Sequence, residues 1–217
     1  YAEALIMLRK GKSSEQASAL LDQALSLNAK FLPALMAKGQ VAFAQQDYAQ
    51  ALTHYNEALQ LNPKSLPALV GAADSALAMG LVERAAGLYE QGLELAPDSV
   101  LLLNNLAWCL GESGQRLDVA LQYAEKASQL APKVSGVRDT LGWVLLKRGE
   151  TKEALLEFEL ARDLSPKDPL PHYHMAQAFM KLGKPDQAKP VVKAALELGV
   201  GFPGKIQAEK LLQELGG

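Results

Sequence analysis

Three features of the 217-residue chain predict an all-α solenoid of about six helix-turn-helix repeats with a C-terminal capping helix. A unit of thirty-four residues recurs in register towards both ends, the mark of stacked repeats. Within each unit apolar residues return at helical spacing in two blocks, so two amphipathic helices, A and B, are expected per repeat. The composition, 49% hydrophobic but only 6% aromatic, rich in Ala and Leu, suits helices packed close along a continuous core.

Residues 32–65, LPALMAKGQVAFAQQDYAQALTHYNEALQLNPKS, form one complete unit. Counting from Leu32, Leu35, Gly39 and Ala42 fall on one stripe of helix A, and Leu52, Tyr55 and Leu59 on one stripe of helix B. Gly39 and Ala51 are small enough for the two helices to approach closely. Gln46 and Asp47 occupy the turn between them, and the Asp47 carboxylate can cap helix B. Pro63 has no backbone donor and helps end helix B, while Ser65 can cap the next helix and Pro67 suits its first turn.

Residues 1–31 read as a repeat that begins inside helix A. Ala17, Leu21 and Ala24 then take positions 20, 24 and 27, and Ala29 stands where proline is usual. The expectation is a fragment with further repeats upstream. Residues 66–99 keep Leu69, Ala72, Ala73, Gly80, Ala85, Tyr89 and Pro97 in register, with Gly92 where alanine is usual. Residues 100–134 keep Leu103, Leu106, Ala107, Leu110, Gly114, Ala120, Ala127 and Pro132, with one additional residue assigned to the Gln115–Asp118 turn. An insertion belongs in a turn, because within a helix it would rotate the face by about 100°.

Residues 135–168 carry Leu141, Gly142, Leu145, Gly149, Ala154, Phe158, Ala161 and Pro166. Residues 169–202 carry Met175, Ala176, Phe179, Gly183, Ala188 and Ala195, then leave the pattern after Leu198 in GVGFPG. Pro190 is expected early in the second helix, where proline is tolerated better than further in. Residues 203–217 contain an amphipathic stretch, Lys205 to Leu215, expected to cap the last repeat, with Gly216 and Gly217 ending the helix and the native chain.

On these residues the chain resembles the tetratricopeptide-repeat (TPR) family, and the resemblance covers nearly all of it. It implies a right-handed superhelix acting as a scaffold or peptide-binding platform, with positions 2, 5, 9, 12 and 13 of the A helices lining a concave groove. Carried over, the groove holds Met36, Gln40 and Phe43; Val70, Asp74 and Leu77; Asn104 and Trp108; Asp139, Trp143 and Leu146; and Tyr173, Gln177 and Met180. Trp108 and Trp143 share position 9 of consecutive repeats, which is not a core position of the family, so both are expected partly exposed in the groove. The alternative is packing between neighbouring A helices.

Large rigid aromatics of this kind anchor ligands at small entropic cost. Asn104, Asn105, Asp139, Thr140, His174 and Gln177 offer donors and acceptors for a peptide backbone, or serve as inter-repeat and solvated polar groups. Met36, Val70 and Asp139 stand where the first side chains of the family's basic carboxylate clamp would be, which argues against a co-chaperone of that type. The phrases LNNLAWCL, DTLGWVLLKRGE and PLPHYHMAQAFMKLGKPDQA resemble terminal repeats of bacterial TPR lipoproteins of exosortase and PEP-CTERM sorting and exopolysaccharide export. That resemblance, over residues 100–215, implies a periplasmic or outer-membrane-anchored protein, with the cytoplasm as alternative.

The net charge of −2 gives no bulk attraction to nucleic acid or anionic membrane, and no apolar run is long enough to span a bilayer. The single cysteine, Cys109, excludes an intramolecular disulfide and a cysteine-rich metal site, and its apolar neighbours predict a buried thiol. His172 and His174 are two apart on a helix, on different faces and poorly placed to share a metal. His54 is expected to face solvent. No phosphate loop follows a strand, GVGFPG lacks the lysine and hydroxyl of one, and the acidic residues are expected on outer helix faces and in turns. The sequence thus points to a protein or peptide partner without cofactor, metal or catalysis. Self-assembly through an exposed repeat end is the second reading; an enzyme would require a domain outside this segment.

Overall fold

The computed structural model describes residues 1–9, 14–199 and 201–216. Among these, thirteen helices and no strands are found. They gather into two compact units, residues 1–97 and 98–217. Val200 of GVGFPG and the final Gly217 lie outside the described residues.

The first unit holds α1 (Ala2–Arg9), α2 (Ser14–Leu27), α3 (Leu32–Ala44), α4 (Tyr48–Leu61), α5 (Leu66–Ala78) and α6 (Val82–Leu95). From α1 to α6 each helix packs on the next, and small side chains sit at the contacts: Ala34, Ala51, Ala58, Ala68, Ala72, Ala73 and Ala85 have no exposed surface. Tyr55 shows why the small residues matter. Its ring lies against both Gly39 and Gly71, and a Cβ at Gly39 would sit 2.7 Å from it. One aromatic side chain of α4 thus joins its own helix A to that of the following repeat. Tyr89 is fully buried and its hydroxyl donates to Asp74 Oδ1 at 2.5 Å.

The second unit holds α7 (Val100–Ser113), α8 (Leu117–Leu130), α9 (Ser135–Arg148), α10 (Thr151–Leu164), α11 (Pro169–Lys181), α12 (Pro185–Leu198) and α13 (Lys205–Glu214). Phe158 of α10 takes the place that Tyr55 has in the first unit, and a Cβ at Gly142 would lie 2.6 Å from its ring. Burying such a ring contributes about 1.5–3 kcal/mol. Ser135 Oγ donates to the Ala161 carbonyl at 2.9 Å, and Arg138 pairs with Glu157 at 3.0 Å, tying α9 to α10. Cys109 is fully buried.

The turns inside the repeats share one geometry. Gln46, Gly80, Gly114, Gly149 and Gly183, all at position 15, have positive φ. In four of these turns the next N–H bonds back across the helix end, from Asp47 to Ala42, Leu81 to Ala76, Glu150 to Leu145 and Lys184 to Phe179, each at 2.9 Å. Gln46 alone among the five bears a side chain in this left-handed position. In 100–134 Gly114 still holds position 15 and α8 starts one position later than α4, α6 or α10, so the additional residue lies in the turn between them, where Arg116 is a second left-handed residue.

Helix starts separate two capping cases. Asp47 Oδ1 accepts from Gln50 N at 3.1 Å and Asp168 Oδ1 from Leu170 N at 3.0 Å. The Ser65 side chain, in contrast to the sequence expectation, makes no cap bond. Pro67 stands at the second helical position and has removed one of the amides a cap would use. Pro190 is also deeper than expected: it lies inside α12, which continues unbroken to Leu198.

Candidate functional site

In the first unit the inner positions of α3 and α5 are largely provided for. Met36, Phe43, Val70, Asp74 and Leu77 are half-buried and Gln40 is exposed. Asp74, an exception to the expectation that carboxylates lie outside, receives the Tyr89 hydroxyl. Burial raises the Asp74 pKa, with the Tyr89 hydrogen bond working in the opposite direction. Tyr55 is pushed up to about 12, mainly by burial and then by the negative charge of Asp74.

The second unit differs. Its inner positions build two adjoining cavities of about 500 and 510 Å³ that share Trp143, Lys147, Tyr173, Gln177 and Gln207. Leu146, Met180, Lys181, Leu211 and Glu214 complete the first; Trp108, Glu112, Leu170, His174, Pro203 and Gly204 complete the second. These volumes are in the range of ligand pockets. The lining mixes rings and aliphatic surface with two lysines and two glutamates, so it carries little net charge.

The floor is rigid for an identifiable reason. Asp139 and His174, 4% and 5% exposed, pair across consecutive repeats, with Nδ1 2.9 Å from Oδ1 and 3.0 Å from Oδ2. His174 stacks on the Trp143 indole at 4.7 Å between centroids, with Phe158 and Tyr173 tilted against it at 5.4 and 5.8 Å. Lys147 Nζ lies 4.4 Å over the indole and 3.8 Å from Glu112. The indole is therefore held on one face by the imidazole and attracts an ammonium to its ring.

Tyr173 is held from the other side. Its hydroxyl accepts from Gln177 Nε2 at 2.7 Å. A Cβ at Gly204 would approach its ring to 2.5 Å, and Gly204 has φ +88°, so glycine is needed there for space and for backbone. That close approach seats α13 beside the cavity, where Ala208 joins Tyr173, Val192 and Ala195 in one cluster. Burial raises the Tyr173 pKa; the Gln177 bond opposes the shift and Glu112 adds to it.

Three buried side-chain polar atoms have no partner among the described residues: Asn104 Oδ1, Trp143 Nε1 and Gln177 Oε1. All three belong to the inner positions of the second unit. Asn104 Nδ2 donates to Asn105 Oδ1 at 3.3 Å. An unmatched buried polar atom costs roughly 1–3 kcal/mol.

Of the residues expected to face a groove, Trp108, Trp143, Leu146, Tyr173, His174, Gln177 and Met180 line these cavities. Asp139 and Thr140, each 4% exposed, are interior, and Trp143 is more enclosed than expected, at 9%. The difference from half-buried Trp108 follows from the next repeat, which offers Trp143 the flat ring of His174, whereas the corresponding residue after Trp108 is Thr140. His172 is also buried, its Nδ1 3.0 Å from the Asp168 carbonyl. His54 does not project freely: its side chain is 17% exposed, with Nδ1 3.3 Å from Glu57.

The residues that sequence reasoning missed are Glu112, Lys147 and Lys181, all at position 13, Leu170 at position 2, Pro203 and Gly204 of the GVGFPG segment, and Gln207, Leu211 and Glu214 from α13. Position 13 was itself a usable signal. The face that α13 turns to the cavity had none. No group of three His, Cys, Asp or Glu side chains that could hold a metal occurs among the described residues, and no described helix is long and apolar enough to cross a membrane.

Repeated helix pairs with small residues at their contacts define a class of α-solenoid repeat proteins. Tetratricopeptide-repeat family models match residues 42–109 and 145–201, and a second matches 1–65. The chain belongs to the tetratricopeptide-repeat family. Among curated protein sequences, none matches it. Among solved structures it is similar to a tetratricopeptide repeat protein from Parabacteroides merdae, at 19% identity and TM-score 0.81 over 99% of this chain and 86% of that one. It is also similar to YrrB, described as a TPR protein with an unusual peptide-binding site, at 19% identity and TM-score 0.62 over 88% and 97%. A chain of the APC/C hetero-tetramer Cut9–Hcn1 aligns at 18% identity and TM-score 0.76 over 99% of this chain and 41% of that one. At these identities the likeness is one of fold, and the family is one of protein-interaction scaffolds.

Proposed function

We propose that the protein is a non-catalytic scaffold that captures a peptide or protein segment on the inner face of its A helices, with the second unit supplying the anchoring site. The observation that carries this reading is the pair of cavities over α7, α9 and α11, which bring Trp108, Trp143, Tyr173 and Gln177 together. Aromatic side chains on a rigid floor give a segment large contact area with little rotamer entropy to lose. The first unit has on its own inner positions Gln40, Asp74 and half-buried Met36, Phe43, Val70 and Leu77, without a comparable aromatic anchor. The peptide-binding description of YrrB and the assembly in which the Cut9–Hcn1 chain occurs support an interaction role by analogy of fold.

The setting is a further part of the proposal. The terminal-repeat phrases in 100–215 support a place in bacterial protein sorting or exopolysaccharide export, in the periplasm or tethered at the outer membrane. A displayed library of random peptides selected against the whole chain tests the binding reading, in parallel with a Trp108→Ala, Trp143→Ala variant confirmed to be helical. Peptides enriched by the native chain and lost by the variant are the expected result. No enrichment on either protein would overturn the reading.

A further inference from the structure

Every B helix has leucine at position 30, from Leu27 to Leu198, and each of these side chains is at least 37% exposed. That position is therefore common to the repeat. Positions 22 and 26, two turns and one turn earlier, are not. α4 has Thr53 and Glu57 there and α8 has Gln122 and Lys126, as suits positions turned to solvent. α10 alone among the six B helices has leucine at both. Leu156, Leu160 and Leu164 are 61%, 45% and 42% exposed. Residues four apart follow one ridge of a helix surface, so the three make a continuous apolar ridge about 12 Å long. It lies on the face of α10 away from buried Ala154, Phe158 and Ala161. An unbroken row of this kind marks an interaction surface, whereas single scattered leucines do not.

The charges beside the ridge select the occupant. At about 100° per residue, Glu153 falls on one side of the ridge and Glu159 and Asp163 on the other, with Lys152 at its start. Asp163 is engaged by Arg162 at 2.8 Å, while Glu153 and Glu159 enter no ion pair among the described residues. A second copy of α10 laid on the ridge would bring acidic flank against acidic flank, which opposes self-pairing. Three leucines also offer well below the roughly 800 Å² per partner that a stable interface buries. A helix whose apolar stripe is bordered by lysine or arginine satisfies both the ridge and its flanks, because the methylene stems of those residues cover apolar surface while their charged ends reach the carboxylates.

We propose that α10 is a docking ridge for a basic amphipathic helix of a partner protein. The ridge of Leu156, Leu160 and Leu164 enters a groove of that helix, with the two axes crossing at about −50°, and partner cations meet Glu153 on one side and Glu159 on the other. The small contact area makes the complex weak and reversible. This surface is separate from the cavities over α7, α9 and α11 and does not depend on what they bind.

The test is a displayed library of helical peptides with a fixed leucine stripe and flanking positions drawn from Lys, Glu and Gln, selected on the whole chain. Lysine-rich flanks are the expected result. The tightest peptide, resynthesised, should bind the native chain and the Trp108→Ala, Trp143→Ala variant alike, and should bind about tenfold more weakly to a Leu156→Gln, Leu160→Gln variant. That variant gives α10 the polar character α4 and α8 already have at these positions, so its helicity and melting should match the native chain. Glu153→Gln, Glu159→Gln should weaken the peptide about threefold and flatten its salt dependence. No enrichment, glutamate-rich flanks, or an affinity indifferent to the leucine changes overturns the proposal. So does a concentration-dependent dimer in sedimentation that the leucine changes abolish, since the ridge would then hold a second copy.

Discussion

The two units use the same repeat to opposite ends. In residues 1–97 a polar group turned towards the inner face finds its partner within the unit, as Asp74 does in the Tyr89 hydroxyl. In residues 98–217 the corresponding positions pair some groups more deeply, as Asp139 with His174, leave Asn104 Oδ1, Trp143 Nε1 and Gln177 Oε1 buried without a partner among the described residues, and line two cavities with Trp108, Trp143, Tyr173 and Gln177. Stability in a repeat array is close to a sum of local terms, which allows one stretch to keep such costs while the rest offsets them.

The sharpest way to break the comparison is to remove one buried ring from each unit. Phe158→Ala and Tyr89→Ala should each cost about 3–5 kcal/mol in urea unfolding. At a temperature where both variants remain helical, only Phe158→Ala should also weaken peptide binding, since Phe158 supports His174 beneath Trp143. Equal losses of binding would show that the units do not divide the work.

Glycine to alanine changes should give opposite signs at two helical sites. Gly142→Ala drives a methyl towards Phe158 and should cost about 1–3 kcal/mol. Gly87→Ala in α6, where a Cβ meets nothing within 4 Å, should gain up to about 1 kcal/mol from helix propensity. Thermal melting of the pair decides whether close approach, rather than helix propensity, governs the Gly142 site.

The turn at Gln46 tests the first unit alone. Gln46→Gly places glycine where the other four repeats already have it and should stabilise by about 0.5–1 kcal/mol. The pH dependence gives the smallest signal. Because the folded Asp74 pKa is raised, the native state holds its proton to higher pH than the unfolded chain. Asp74 therefore favours folding at low pH, and its contribution declines as pH rises through the window between the unfolded and folded values. Tyr55, raised to about 12, behaves in the same way between its ordinary value of 10.0 and about 12. Asp74→Asn should flatten the acidic slope of a urea-midpoint titration; an unchanged slope would remove Asp74 as its source.

Most of the scaffold was legible in sequence because its determinants are local and repeat in register. Gly39 marks a close helix approach, Gly80, Gly114, Gly142, Gly149 and Gly183 keep the repeat register, and Asp47 caps α4 as its chemistry predicts. What escaped were relations between repeats. Asp139 and His174 are thirty-five residues apart, and each looked like a groove group until the pairing buried both. Trp108 and Trp143 are equivalent by position but differ in exposure because Thr140 and His174 follow them in the next repeat. Gln46 in a glycine position and Ser65 beside Pro67 show the remaining difficulty, a local rule overridden by an immediate neighbour or by the demands of the turn.

Hydrogen–deuterium exchange on the whole chain, with and without the selected peptide, tests the division between the units most directly. Protection gathered in α9, α11 and α13, with α3 and α5 unchanged, is the result predicted. Protection centred on α3 and α5, or spread evenly over all the A helices, would contradict it.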